Sequence, residues 1–328
     1  MDQYHTLVRD VLRNGSYKPN RTGVDTISSF SHHYTIDLSE GFPLLTTKKM
    51  DGYRWKSLIY ELLWYLSGEE HIENLREHTK IWDAWADDAG KLDTAYGRFW
   101  RRYPVPENGL PGESWPEDAH RWMNADESTF DQIQYAIDTL RENPNSRRIV
   151  ISAWHPANAA VSTLPPCHYT FALNVQNGRL NLHLTQRSGD IALGIPFNIA
   201  CYSILAMLFA REANLELGDF GHTIVDAHIY CGAGERGEWY ADNLYMIQTA
   251  LNGPHTQYDE LIDFIESNAP EDPDTLDHVP GLLKQLSRKS LPRPALEIED
   301  VPLDELDFDS FTLTEYESHD GLKFGVAK

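Results

Sequence analysis

Lysine and cysteine are both scarce in this chain, whose 328 residues include only 10 of the first and 3 of the second. Cys167, Cys201 and Cys231 are too few, and odd in number, for a disulfide framework. They suit a reducing compartment, and a cytoplasmic location is expected. No CxxC pair or HExxH run occurs, so no metal site is expected. The longest apolar run, 199–210, is short for a membrane span and is interrupted by Tyr202 and Ser203; it reads as a buried helix. Residues 1–15 set Asp2, Arg9, Asp10 and Arg13 among Leu7, Val8, Val11 and Leu12, the pattern of an amphipathic helix rather than a signal peptide. No membrane partner is expected.

Positive charge is also short. Lys plus Arg number 28 against 50 Asp plus Glu, for a net charge of −22. A nucleic-acid partner needs a basic footprint, so none is expected. The acid excess is spread along the whole chain, as in a halophilic protein. At molar salt the screening length falls to roughly 3 Å and self-repulsion fades. An ordinary acidic surface is the other reading.

Hydrophobic residues make up 41% of the chain, enough for a sizeable core. One domain over 1–328 is expected, with acidic surface insertions near 104–128 and 231–277. Between them lie the clearest local signals. The β-rich run 148–154 is followed by 168–176, then Asn177-Gly178, then 179–187 with Leu180, Leu182 and Leu184 alternating. Asn-Gly between two such runs predicts a two-residue hairpin turn. Counting outward from that turn sets His168 opposite Arg187 and Cys167 opposite Ser188. Asn198 falls at or near the start of the following apolar helix. Upstream, 55–66 reads as a helix with Glu61 among leucines. Downstream, 223–230 reads as a strand with Asp226, His228 and Tyr230 on one face.

Pro165 and Pro166 hold Cys167 at a rigid strand entry. The derived register puts Arg187 and His168 beside it, and a nearby cation favours a nucleophilic thiolate. A small buried hydrophobe is the competing reading, and the two stand even. Arg187, Ser188, Arg147 and Arg148 could bind an anion or could be solvated charge. Asn198 is either a helix N-cap or an amide that reads a ligand edge. Glu61 is either a buried salt-bridge partner or a proton carrier with a raised pKa. Asp226, His228 and Tyr230 are either a polar cluster or the wet side of a sheet. Trp82 and Trp85 read as core. Together these residues indicate an enzyme that acts on a phosphorylated ligand through a cysteine.

Longer motifs go further. They include Asn20-Arg21-Thr22-Gly23, Gly41-Phe42-Pro43-Leu44-Leu45-Thr46-Thr47-Lys48, Ile81-Trp82-Asp83-Ala84-Trp85 and Tyr96-Gly97. The densest are Pro166-Cys167-His168, Gln186-Arg187-Ser188-Gly189-Asp190, Leu193-Gly194-Ile195-Pro196-Phe197-Asn198 and Asp226-Ala227-His228-Ile229-Tyr230. In these motifs, over most of its length, the chain resembles the thymidylate synthase family. The resemblance implies an α/β (α+β) fold in which a mixed sheet is covered by helices and one sheet face forms a homodimer interface. It implies dUMP as substrate and 5,10-methylenetetrahydrofolate as co-substrate. Cys167 would attack the uracil ring, and Glu61, Tyr96, His168, Asn198 and Asp226 would complete the catalytic set. Arg21, Arg187 and Ser188 would hold the phosphate, with Arg147 and Arg148 from the partner subunit. Asn198 would read the uracil edge, Asp190 would lie between nucleotide and pterin, and His228 and Tyr230 would bind the ribose. Lys48, Ile81, Trp82, Trp85, Asp190 and Ala327 would contact the folate. A deoxypyrimidine nucleotide hydroxymethylase of the same fold is the alternative. The family pattern is broken by the stretch before Asp277-His278, by Ile224 and Val225 where glycines are usual, by 50–53 where a histidine is missing, and by the terminal Lys328.

Overall fold

The computed structural model describes residues 1–105, 121–125, 128–253 and 257–327. Most of the expected insertion near 104–128 therefore lies outside the described residues, as does Lys328. Helix α1 (Asp2–Asn14) turns Tyr4, Leu7, Val8, Val11 and Leu12 into the core, as its apolar spacing predicts. It ends at Gly15, where a side chain is excluded by contact: a Cβ would lie 2.5 Å from the Val11 carbonyl oxygen and 2.8 Å from Ile27. The chain then folds back as the hairpin β1 (Ser16–Lys18) and β2 (Val24–Asp37). Helices α2 (Tyr53–Ser67), α3 (Tyr96–Arg101) and α4 (Gln132–Glu142) precede the short edge strand β3 (Val150–Ser152).

Strands β4 (Thr170–Gln176) and β5 (Arg179–Asp190) form the hairpin read from the sequence, with Gln176 opposite Arg179 and Thr170 opposite Thr185. Asn177 and Gly178 both take positive φ, 54° and 76°, as a two-residue turn of this twist requires. Helix α5 (Gly194–Glu212) crosses over to the long strand β6 (Glu216–Ala233), which lies parallel to β5 and antiparallel to β2. The sheet order is β1-β2-β6-β5-β4-β3, and β5/β6 is its one parallel pairing among the described residues. This mixed sheet packed against helices agrees with the expected fold class.

The crossover helix starts earlier and ends later than the apolar run suggested. By length and composition it could cross a membrane, yet 72% of its apolar window is buried inside the protein. Ile195, Ile199, Tyr202, Leu205 and Phe209 are all buried, packed among the sheet, α2 and α4. Each such side chain contributes about 1.5–3 kcal/mol relative to exposure. The opposite sheet face is exposed at Val150, His183 and Val225. It also shows Thr223, and His33 and His183 both bond the Thr223 hydroxyl across neighbouring strands.

The stretch before Asp277 forms two helices, α6 (Glu235–Leu251) and α7 (Tyr258–Asn268), before α8 (Val279–Leu286) resumes. Its two ends meet. Cys231 pairs with Asp277 in an isolated bridge, and the His278 amide donates to the Tyr230 carbonyl. Asp277 is the anchor: its Oδ2 accepts from Arg236 Nε at 2.9 Å, Arg236 Nη2 at 2.7 Å and the Tyr240 hydroxyl at 2.8 Å. Its side chain is 1% exposed and that of Arg236 9%. A buried charge stripped of its partner is costly, so Arg236→Met should lower unfolding stability by about 3–5 kcal/mol in denaturant titrations. The double variant Arg236→Met, Asp277→Leu should recover most of that. A loss of under about 0.5 kcal/mol for the single variant, the range of ordinary surface changes, would contradict this anchoring role.

Candidate active site

The end of the β4–β5 hairpin carries the cysteine. Three residues before β4 begins, the Cys167 carbonyl accepts from the Arg187 amide at 2.9 Å. The Arg187 side chain folds back over the same turn. Its Nε donates to the Pro166 carbonyl at 3.0 Å and its Nη2 to the Pro165 carbonyl at 2.7 Å, with Cys167 Sγ 3.5 Å away. The two prolines hold those carbonyls rigid and supply no competing N–H. Burial pushes the Cys167 thiol above its ordinary pKa, while the Arg187 and then the Arg21 charges pull it back. The thiol is thus mainly protonated at neutral pH, and its two arginines favour the thiolate once it forms.

A cavity of about 280 Å³ opens beside the sulfur. Cys167, Arg187, Ser188 and Asp190 line it from the hairpin, Arg21 from the β1–β2 connection, and Asp226, His228 and Tyr230 from β6. The parallel register explains the meeting: Ser188 pairs with Asp226 and Asp190 with His228. Asp226 forms an ion pair with Lys18 and its Oδ1 lies 3.7 Å from His228 Nδ1; the carboxyl is lowered to about 2, first by His228 and then by Lys18. Lys18 is a lining residue that the sequence reading passed over. It lies in a three-residue strand that looks unremarkable until β1 is placed beside the cavity.

Behind the cysteine is an aromatic layer. The Cys167 amide donates to the Tyr96 hydroxyl oxygen at 2.7 Å, and the Tyr96 ring stacks on His168 at 3.7 Å with 1° between planes. His168 Nδ1 lies 2.7 Å from the Tyr202 hydroxyl, and burial lowers its pKa to about 3, so the ring is neutral. Tyr96 meets Trp82 edge to face at 6.0 Å, and Trp82 meets Trp85 at 5.7 Å. Trp82 Nε1 donates to Glu61 Oε1 at 2.7 Å. Burial of the Glu61 carboxyl raises its pKa from 4.5 to about 7, against the pull of bonds from Trp82 and Tyr65. Glu61 can therefore both hold and release a proton near neutrality.

Other candidates sit differently. Asn198 is no N-cap: the helix begins at Gly194 with Leu193 at the cap position. One turn in, Asn198 Oδ1 accepts from Gln186 Nε2 at 3.1 Å. Asp190 Oδ1 accepts from the Ala192 and Leu193 amides at 2.9 and 3.2 Å, bracing the approach to that helix. Lys48 is buried. It donates to the Ala192 carbonyl and lies 5.2 Å from the Phe324 ring centroid, under the C-terminal segment that carries Ala327. Burial brings Lys48 down to about 7, opposed by Asp190. His278 Nε2 donates to the Gly325 carbonyl at 2.9 Å, tying that segment down. Ile81 precedes Trp82 at the aromatic layer. Arg147 and Arg148 are exposed, just before the edge strand β3, and neither lines this cavity. Of the residues replacing the usual glycines, Ile224 is fully buried against Gly189, where a Cβ would lie 3.1 Å from Ile224 Cγ2, and Val225 is 38% exposed on the open sheet face.

The arrangement offers a cysteine nucleophile, a cationic floor for an anion and a carboxyl group that titrates near neutrality. The comparisons with known proteins agree with that chemistry. A family model described as thymidylate synthase matches residues 2–328. A thymidylate synthase of Haloferax volcanii is 65% identical over 327 residues, covering 98% of this chain and 95% of the relative. With the match running through every segment that builds the cavity, the chain belongs to the thymidylate synthase family.

Proposed function

We propose that this protein methylates dUMP to dTMP with 5,10-methylenetetrahydrofolate, releasing dihydrofolate, and that Cys167 is the nucleophile. The observation that carries the reading is the Arg187 clamp, which holds a guanidinium 3.5 Å from the sulfur of Cys167 within a cavity of nucleotide-binding character. The Cys167 thiolate adds to C6 of the uracil, and the pair of electrons displaced from the ring makes C5 nucleophilic. C5 takes the one-carbon unit from the folate, then loses its proton. The bond from that unit to the folate nitrogen breaks to leave an exocyclic methylene, which takes hydride from the released tetrahydrofolate as the C6–sulfur bond breaks, giving dTMP, dihydrofolate and the free thiolate. Arg187, Arg21 and Ser188 hold the phosphate, and His228 and Tyr230 the ribose. Asn198 faces the uracil edge, and Asp226 with Lys18 shapes the wall below. Glu61 manages protons through the layer of Tyr96 and His168. The folate lies over Trp82, Trp85 and Ile81, with Asp190 at the pterin and Ala327 in the segment that closes above it; Lys48 supports that segment from beneath.

The active unit is a homodimer built on the open sheet face. Its support is the exposed Val150 and Val225 on that face, and the exposed arginine pair at the end of β3. Arg147 and Arg148 then complete the partner's phosphate site. The reducing conditions of the cytoplasm suit the free thiol of Cys167. The acidic surface, with its net charge of −22, suits molar salt.

Dihydrofolate formation followed by absorbance tests the reading. Turnover should require dUMP and Cys167, and should be higher in molar KCl than in dilute buffer. Bound dUMP with no dihydrofolate would sink it and favour the hydroxymethylase chemistry. Mixing the two inactive variants Cys167→Ala and Arg148→Ala should restore part of the activity, because one hybrid site keeps both groups; no recovery would sink the shared site.

Glu61 adds a pH signature. Its folded pKa lies above its unfolded one, so its contribution to stability is full below about 4.5 and lost as the pH rises through about 7. Glu61→Gln should therefore raise the melting temperature at alkaline pH, have no such effect below about 4.5, and cut turnover by about 10²-fold or more. A melting difference independent of pH would contradict the buried carboxyl.

A further inference from the structure

A line of buried and half-buried side chains that the mechanism does not use runs through the sheet and ends at Asn198. The Tyr34 hydroxyl lies 2.6 Å from His222 Nδ1, His222 Nε2 lies 2.6 Å from Gln186 Oε1, and Gln186 Nε2 lies 3.1 Å from Asn198 Oδ1. His222 is fully buried and Gln186 is 2% exposed. Tyr34, His222 and Gln186 come from β2, β6 and β5, adjacent strands in the sheet, with Tyr34 directly opposite His222.

The direction of every bond is set by one carbonyl. Gln186 Nε2 also donates to the Ser188 carbonyl oxygen at 3.3 Å, and a carbonyl can only accept. The amide nitrogen of Gln186 must therefore face Ser188 and Asn198, and its Oε1 must face His222. His222 then carries its proton on Nε2, and its Nδ1 accepts from the Tyr34 hydroxyl. Burial keeps the imidazole neutral, so it cannot donate at both ends. At the far end, Asn198 presents Oδ1 to Gln186, which turns its Nδ2 group the other way. An amide free to rotate would present either edge; this one is held in a single orientation.

We propose that Tyr34 and His222 are specificity-determining positioning residues, which lock the Asn198 amide so that its N–H donors meet a base carbonyl and reject a base amino group. This rests on Asn198 facing the pyrimidine, as proposed above. A uracil base offers a carbonyl oxygen at C4, and a cytosine base offers an amino group whose hydrogens oppose those of Nδ2. Without His222, Gln186 Oε1 is left buried and unpaired, and Gln186 turns to find a partner. Asn198 then loses its restraint. Loss of the Tyr34 hydroxyl acts more gently, by leaving the His222 tautomer unfixed.

Dissociation constants for dUMP and for dCMP, measured by calorimetry on the full-length protein in molar KCl, test this. The wild type should prefer dUMP. That preference should fall about tenfold in His222→Leu, the effect of one buried polar group left unpaired, and by a smaller factor in Tyr34→Phe. It should return in His222→Gln, whose amide nitrogen reaches the place of Nε2. A general packing defect would weaken both nucleotides together and leave their ratio unchanged, and that outcome in Tyr34→Phe and His222→Leu would overturn the proposal. If His222→Leu does not fold, Tyr34→Phe, which removes a single oxygen atom, decides on the same ratio. A wild type with no preference for dUMP would remove the role of Asn198 and the proposal with it, whereas a wild-type preference kept by the folded variants would remove the proposal alone.

Discussion

The contact on which the site depends is the clamp of Arg187 on the carbonyls of Pro165 and Pro166. It joins β5 to the segment that enters β4, and it brings a permanent positive charge to the sulfur of Cys167. Neither half suffices alone. Beyond the last hairpin pair, Thr170 with Thr185, the bond from the Arg187 amide to the Cys167 carbonyl sets the level of Arg187, and the two prolines stiffen the turn that receives it. Because β5 continues parallel to β6, the same register also brings Ser188 and Asp190 level with Asp226 and His228. One hairpin turn and one crossover helix thus assemble most of the pocket wall.

Two opposed electrostatic demands meet there. Burial disfavours the thiolate, and the arginines favour it, with burial the larger effect. A bound phosphate would occupy part of the arginine charge, so the thiolate must be stabilised further by the closing of the site around the base. On a larger scale a dianionic substrate must approach a molecule of charge −22. Molar salt shortens the reach of that repulsion to roughly 3 Å and leaves the close contacts of the pocket in force. The cation cluster at the cavity is then the field that the substrate meets last and at shortest range.

What could be read from the chain before folding was local. Asn177-Gly178 and the alternating leucines specify the β4–β5 hairpin and its pairing without reference to anything distant. The α5 helix was legible as buried, but its start was misplaced, because Gly194 and Pro196 belong inside the first turn and shift Asn198 off the cap. The line Tyr34–His222–Gln186 was not legible at all. It depends on the registers of three strands at once, and each member looks like an ordinary strand residue. Lys48 enters from its motif only as a folate contact; its burial, with Phe324 from the far end of the chain 5.2 Å away and the Ala192 carbonyl as its acceptor, is a tertiary feature. The clasp at Asp277 is similar, since its partner Arg236 lies in a helix whose path back to the sheet no local pattern announces.

The central claim is that Cys167, made reactive by Arg187, bonds to the pyrimidine ring. The most direct test is the intact mass of the protein incubated in molar KCl with methylenetetrahydrofolate and 5-fluoro-dUMP, whose fluorine stands where the C5 proton must leave and so stalls the reaction. A covalent adduct carrying nucleotide and folate should form on the peptide that contains Cys167, and should be sharply reduced in Arg187→Met. An unmodified protein mass under conditions where dUMP is turned over, or an adduct on Cys201 or Cys231, would contradict it.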